Sequence, residues 1–151
     1  YLDRLFDGSY NASGCLFLDS RCEARFASPN SIVYGHHMKD GSMFAALDGY
    51  KEQEFYEAHP SLLLLTPGGD YEAQVLSAYV APTDAAAWRL DFEGEGAYAA
   101  WLAEVCAASC IETGLVPGQA ERVLTLSTCY RGDNHQRYLV QGKLVAEAYA
   151  N

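Results

Sequence analysis

The sequence predicts a mainly β fold with a few helices inserted between its strands. Three observations predict it. Runs of β-branched, aromatic or alternating apolar residues, each too short for a helix, recur about seven or eight times. Turn signals separate them, among them Asp7-Gly8-Ser9, Ser28-Pro29-Asn30 and Pro67-Gly68-Gly69-Asp70. Helical periodicity is confined to about two or three stretches. Together these specify a small mixed or antiparallel β-barrel decorated by helices.

Tyr1 to Gly14 is polar and turn-rich and reads as an extended arm or a short helical remnant. Cys15-Leu16-Phe17-Leu18 reads as the first strand and Ser31-Ile32-Val33-Tyr34 as the second, ending at Gly35-His36-His37. Ser42 offers an N-cap for apolar residues at helical spacing through Leu47, and Lys51 to His59 offers a second short helix stopped by Pro60. Leu62 to Thr66 reads as a buried strand, Pro67 to Asp70 as a turn and Tyr71 to Val80 as a long alternating strand, which makes a hairpin. Trp88 to Phe92 is ambiguous. Gly96 to Ser109 is the clearest helix, with Tyr98, Trp101, Leu102, Val105 and Cys106 on one face, and Gly114 and Pro117-Gly118 end that region. Val123 to Thr128 and Tyr138 to Gly142 are the last strands, with a polar loop from Tyr130 to Gln136 between them.

At 151 residues with 50% hydrophobic content, one domain with one core is expected. Ten Lys and Arg against 20 Asp and Glu give a net charge of −10, which disfavours both a nucleic-acid surface and docking on acidic lipid. No apolar run is long enough to span a membrane. The chain begins at Tyr1 rather than Met, so we expect a domain whose anchoring segment lies outside this sequence.

Five cysteines, Cys15, Cys22, Cys106, Cys110 and Cys129, leave at least one unpaired within the chain, and Cys129 is the expected free thiol. Cys106 and Cys110 fall on one helical face, poorly placed for a disulfide, and read as small buried hydrophobes. Cys15 and Cys22 flank a turn; the sequence leaves their pairing open.

The chemistry concentrates in Thr125-Leu126-Ser127-Thr128-Cys129 and in the apolar run that opens at Arg137. Cys129 ends one alternating run and Arg137 begins the next, so neighbouring strands can present a thiol and a fixed cation at one sheet edge. A thiolate needs a cation or acid nearby, and acyl transfer needs a donor for the oxyanion. A His must come from elsewhere; His36 and His37 both follow a strand end. Arg131 competes with Arg137 as the cation. His135 reads as an ordinary surface residue. With no Cys-x2-Cys pair and no compact carboxylate cluster, neither a metal site nor a cofactor is expected.

The runs Ser31-Ile32-Val33-Tyr34-Gly35-His36-His37-Met38-Lys39-Asp40-Gly41-Ser42-Met43-Phe44, Thr125 to Cys129 and Arg137 to Leu144 closely resemble the sortases, and within them class B. The resemblance extends to the helix-bearing insertion from about Asp84 to Glu121 and covers the chain from about Asp7 onward. It implies an eight-stranded sortase-like β-barrel with a long helix between two late strands. It also implies His36, Cys129 and Arg137 as the catalytic set. His36 takes precedence over His37 because the family's His directly follows that Gly, and Arg137 over Arg131 because it opens the apolar strand. Ser127 and Thr128 are expected to line the substrate channel. Many class B members carry an acidic residue after the nucleophile, where this chain has Tyr130, so a carboxylate partner for His36 is not assigned.

The implied function is a cysteine transpeptidase at the outer face of a Gram-positive membrane. It cleaves a C-terminal sorting signal of Asn-Pro-x-Thr-Asn/Gly type through a thioester and transfers the protein to a cell-wall amine. The alternatives are a pilin-polymerising sortase, a cysteine protease hydrolysing the same thioester, and an inactive barrel that only binds peptide.

Overall fold

The computed structural model describes residues 1–116, 122–130 and 133–146. Its centre is a curled six-stranded sheet: β1 (Phe17–Leu18), β2 (Asn30–Tyr34), β3 (Ser61–Leu64), β4 (Tyr71–Pro82), β5 (Val123–Tyr130) and β6 (Asp133–Ala146). The strand order is β1-β2-β5-β6-β4-β3. Only β2 and β5 run parallel; every other neighbouring pair is antiparallel. Parallel neighbours need a crossover, and the described part of it carries α1 (Gln53–Ala58), β3, β4 and α2 (Glu95–Ala107).

Alternation along the central strands divides the core between the two faces of the sheet. On β5, Leu124 belongs to one cluster with Val33, Phe44, Tyr50, Tyr138 and Val140. Its neighbour Val123 belongs to the other, with Leu76, Leu139, Trp101, Leu102 and Val105. Strand β4 changes phase between them: Ala73 and Val75 join the first cluster, but after a register shift between Val75 and Ser77 it is Ala78 that does so. Helix α2 lies on the second face through Trp101, Leu102 and Val105, and Trp101 donates its indole N–H to the carbonyl of Ala86 at 2.8 Å.

A buried polar ladder crosses the sheet. The Ser77 hydroxyl donates to Gln141 Oε1 (3.0 Å), Gln141 Nε2 donates to Thr125 Oγ1 (3.0 Å), and Thr125 Oγ1 donates to Asn30 Oδ1 (2.7 Å). Asn30 Nδ2 then donates to the carbonyls of Ala87 and Arg89 at 3.0 and 2.9 Å. All four side chains are fully buried, where an unpartnered polar group is costly. The ladder thereby fixes the 3-10 turn Ala86–Trp88 to the sheet edge beside the site described below.

Several expectations change. The described residues form six strands rather than eight: the arm before Gly14 contributes only the isolated bridge Arg4 to Tyr10, and Trp88 to Phe92 is no strand, because Phe92 turns inward against Tyr98 and Trp101. The helix between β4 and β5 is 13 residues, shorter than the insertion that carries it. The stretch Phe44–Lys51 is a 3-10 helix, begun by Met43 at φ 56°, and α1 is confined to six residues. Strand β3 lies at the sheet edge instead of being buried: Leu62 and Leu64 pack against the core, while Leu63 alternates to the opposite face and is exposed, as is Leu65 just beyond the strand. The polar loop shrinks, with β5 running to Tyr130 and β6 beginning at Asp133. All five cysteines are free, and Cys110 is exposed rather than buried. Cys15 and Cys22 do not pair; their thiols contact the carbonyls of Arg4 and Asn30.

Candidate active site

The ends of three strands meet at one end of the sheet. Parallel pairing sets Tyr34 of β2 opposite Ser127 of β5, and the ladder continues one step further through the Gly35 N–H to the Ser127 carbonyl at 3.2 Å. Antiparallel pairing sets Cys129 of β5 opposite Arg137 of β6. His36 stands two residues beyond Tyr34 as Cys129 stands two beyond Ser127, so in-register strands deliver both to one place. Tyr34, Gly35, His36, Ser127, Thr128, Cys129 and Arg137 line a common pocket of about 350 Å3, with Leu2 and Phe17 completing its wall. The pocket thus brings His36, Ser127, Thr128, Cys129 and Arg137 together.

Cys129 is exposed, so its thiol is open to a substrate. Arg137 donates through Nη1 to the carbonyls of Asn134 and Gln136, at 2.9 and 2.8 Å. Among the described residues it has no carboxylate partner, and its positive charge is not neutralised locally. His36 Nε2 contacts the carbonyl of Leu2. Ser127 and Thr128 are almost fully buried, and their hydroxyls make no hydrogen bond. Unsatisfied polar groups at such depth are uncommon in folded proteins. Alternation puts Ser127 on the same face of β5 as Cys129, whereas Thr128 falls on the opposite face with Leu126 and Tyr130, which pack against the first cluster.

His37 points the other way. Its side chain is 5% exposed and its Nε2 lies 2.6 Å from Asp48 Oδ2, while Lys51 reaches Asp48 Oδ1 at 2.7 Å. Burial raises the cost of charging Asp48, but the hydrogen bonds from Lys51 and His37 outweigh it and hold the carboxyl below its ordinary range. This cluster staples the loop after Gly35. Arg131, the alternative cation, lies outside the described residues. His135 is exposed.

Three features were not read from the sequence. Leu2 and Phe17 enter the pocket because the N-terminal arm folds back: Cys15 N–H donates to the Tyr1 carbonyl at 3.1 Å, and a ring row runs from Phe6 through Tyr1 and Phe17 to Tyr34. A second chamber of about 340 Å3 adjoins the first, lined by Arg21, Tyr34, Thr83, Trp88, Ser127 and Arg137. Two of its lining residues share a partner: Asp19 accepts two hydrogen bonds from the Arg21 guanidinium and one from the Tyr34 hydroxyl. The Arg21 contact, against the cost of burial, holds Asp19 well below the usual carboxylate range; burial, then Asp19, pushes the Tyr34 hydroxyl up to about 12. The spacing of Asp19 and Arg21 was visible, but not that Tyr34 brings both to the site.

Comparison with known proteins identifies this architecture. A sortase domain profile matches residues 7–145. Sortase B of Staphylococcus aureus is 34% identical over 147 residues, 96% of this chain and 60% of the relative. Sortase B of Listeria monocytogenes is 32% identical over 149 residues, 97% and 61% respectively. The chain thus spans about three fifths of the length of these relatives. A solved complex of S. aureus sortase B with substrate superposes with a TM-score of 0.89 at 34% identity, covering 98% of this chain and 69% of that one. A sortase B complexed with triglycine superposes at 0.88, also at 34% identity, covering 98% and 70%. With the family profile spanning nearly its whole length and sortase B structures matching its fold, the chain belongs to the sortase family, in its class B branch.

Proposed function

We propose that this chain is the catalytic part of a cysteine transpeptidase that anchors surface proteins to the cell wall. The observation that carries this reading is the convergence of His36, Cys129 and Arg137 on one pocket that is also lined by Ser127, whose hydroxyl has no partner among the described residues. The Cys129 thiolate attacks the carbonyl carbon of the scissile peptide bond, forming a C–S bond and a tetrahedral oxyanion. Arg137, whose charge is free of any carboxylate among the described residues, stabilises that oxyanion. His36 protonates the departing amine as the C–N bond breaks, leaving a thioester. An amine then attacks the thioester, His36 takes its proton, and the thiolate is released. The product is a new amide.

The acyl donor is a sorting signal of Asn-Pro-x-Thr-Asn/Gly type, lying along the pocket with its amides against Ser127 and the β5 backbone at Thr128. The acceptor is an amine of the cell-wall precursor. The site of action is the outer face of a Gram-positive membrane. That the relatives include a sortase B complexed with triglycine supports an amine, rather than water, as the acceptor.

The test is direct. Incubated with such a peptide and excess triglycine, the protein should yield a transfer product detectable by mass, and Cys129→Ala should yield neither thioester nor cleaved peptide while retaining its thermal transition. Undiminished cleavage by Cys129→Ala sinks the mechanism. Free acid as the sole product at saturating amine assigns a hydrolase instead, and a pilin lysine preferred over triglycine assigns a pilus polymerase.

A further inference from the structure

We propose that the chamber beside the Cys129 pocket is a carboxylate subsite read by Arg21. Asp19 is the anchor: it is 9% exposed and accepts from Arg21 Nε at 2.9 Å and Nη2 at 2.8 Å, from the Arg21 backbone N–H at 3.0 Å and from the Tyr34 hydroxyl at 2.8 Å. The Arg21 side chain, fixed along one edge, is 61% exposed, and its remaining N–H groups have no partner among the described residues. Arg137 enters the same chamber from the opposite strand. Two guanidiniums against the single Asp19 carboxylate leave an excess of positive charge here, in a chain whose net charge is −10.

The rest of the lining fits the same ligand. Guanidinium groups only donate, and the Thr83 and Ser127 hydroxyls donate as readily as they accept. The Ser127 hydroxyl, 1% exposed, has no partner of its own. A wall of donors takes a group that only accepts, and a carboxylate met by a pre-held guanidinium forms short, charge-assisted hydrogen bonds. An ammonium is repelled, and a carboxamide satisfies fewer of the donors. The chamber shares Tyr34, Ser127 and Arg137 with the Cys129 pocket, so a molecule held at one can extend into the other. The carboxylate has two possible sources: an acidic side chain of the acyl donor, or a carboxylate carried by the amine acceptor. This choice of sources rests on the transpeptidase reading.

Binding to the Cys129→Ala protein tests the subsite without any chemistry. The probes form two pairs, Asn-Pro-Glu-Thr-Asn against Asn-Pro-Gln-Thr-Asn, and triglycine against triglycinamide. In at least one pair the carboxylate should bind about fivefold tighter, and the ratio should fall to within about twofold when Arg21→Gln is added. The pair that discriminates identifies the source. The Nε resonance of Arg21 in the unsubstituted protein gives a readout that needs no variant, and should shift with the carboxylate probe and not with its amide. Equal binding within both pairs, a preference that survives Arg21→Gln in a folded protein, or an unmoved Arg21 resonance overturns the subsite. Acylation of Cys129 in the unsubstituted protein is measured separately; its failure removes the transpeptidase reading and leaves the carboxylate result to be judged alone.

Discussion

A methyl group at position 35 has no room. A Cβ on Gly35 falls 2.6 Å from Leu16 Cδ2 and 2.7 Å from Phe44 Cδ2. Leu16 is substantially exposed and can move, but Phe44 sits in the core, and its backbone N–H donates to the His36 carbonyl at 2.9 Å. Displacing Phe44 therefore displaces His36. Gly35→Ala should cost about 1–3 kcal/mol, typical of overpacking, seen as a lower urea midpoint, and should slow thioester formation further than that loss of folded protein explains. A variant that acylates at the parent rate would show that His36 tolerates the shift. At this scale the residues singled out from the sequence meet in one pocket, but what holds them there was not readable from it. Phe44 lies too far along the chain for its contact with Gly35 to be read locally. His36 and His37 are the same residue type at adjacent positions, and neighbouring side chains of an extended segment diverge; what separates them is that one lines the Cys129 pocket and the other meets Asp48.

Among the elements, the polar ladder joins the chemistry to the sheet. Asn30 ends it, giving both amide hydrogens to the turn that carries Trp88. Asn30→Ala removes that donor and leaves Thr125 Oγ1 and the two carbonyls short of a partner in a dry interior. The expected cost is about 2–4 kcal/mol, as one lost hydrogen bond plus stranded polar groups. The same change should weaken peptide binding more than it slows the chemical step, because the wall moves while Cys129 and Arg137 do not. A rise in KM with kcat held checks this; a fall in kcat alone would place the ladder's role elsewhere. The β5–β6 pair was legible because two apolar runs, Val123 to Leu126 and Tyr138 to Val140, are separated by a short polar stretch. Strand β2 was legible too, but its parallel pairing with β5 was not: that contact spans most of the chain, and local pattern carries no information on which strands become neighbours. Among the described residues there are six strands rather than eight; the arm is closed by its own turns, and Phe92 of the ambiguous stretch packs against Trp101.

Across the molecule, 20 acidic residues against ten basic ones set how stability follows pH. At neutral pH the surplus charge repels itself, so mild acidification towards about pH 5 should leave stability level or slightly higher. Further down, the sign reverses. Asp7 and Asp40 are held below the ordinary carboxylate range by the Ser9 and Ser42 side chains, and Asp48 by Lys51 and His37 against the cost of its burial. Asp19 is held lowest of all by Arg21. Each binds protons more weakly folded than unfolded, so each contributes stability that is present above its ordinary pKa and is lost as pH falls towards its folded one. The melting temperature should therefore drop steeply below about pH 4. Asp19→Asn should lower it at pH 7 and flatten the acid limb, because the variant has lost the carboxylate whose protonation costs most. The comparison separates Asp19 from the general acidity: an acid limb equally steep in parent and variant would mean that the surface carboxylates alone drive it, and that Asp19 holds Arg21 at the chamber wall without contributing to the fold.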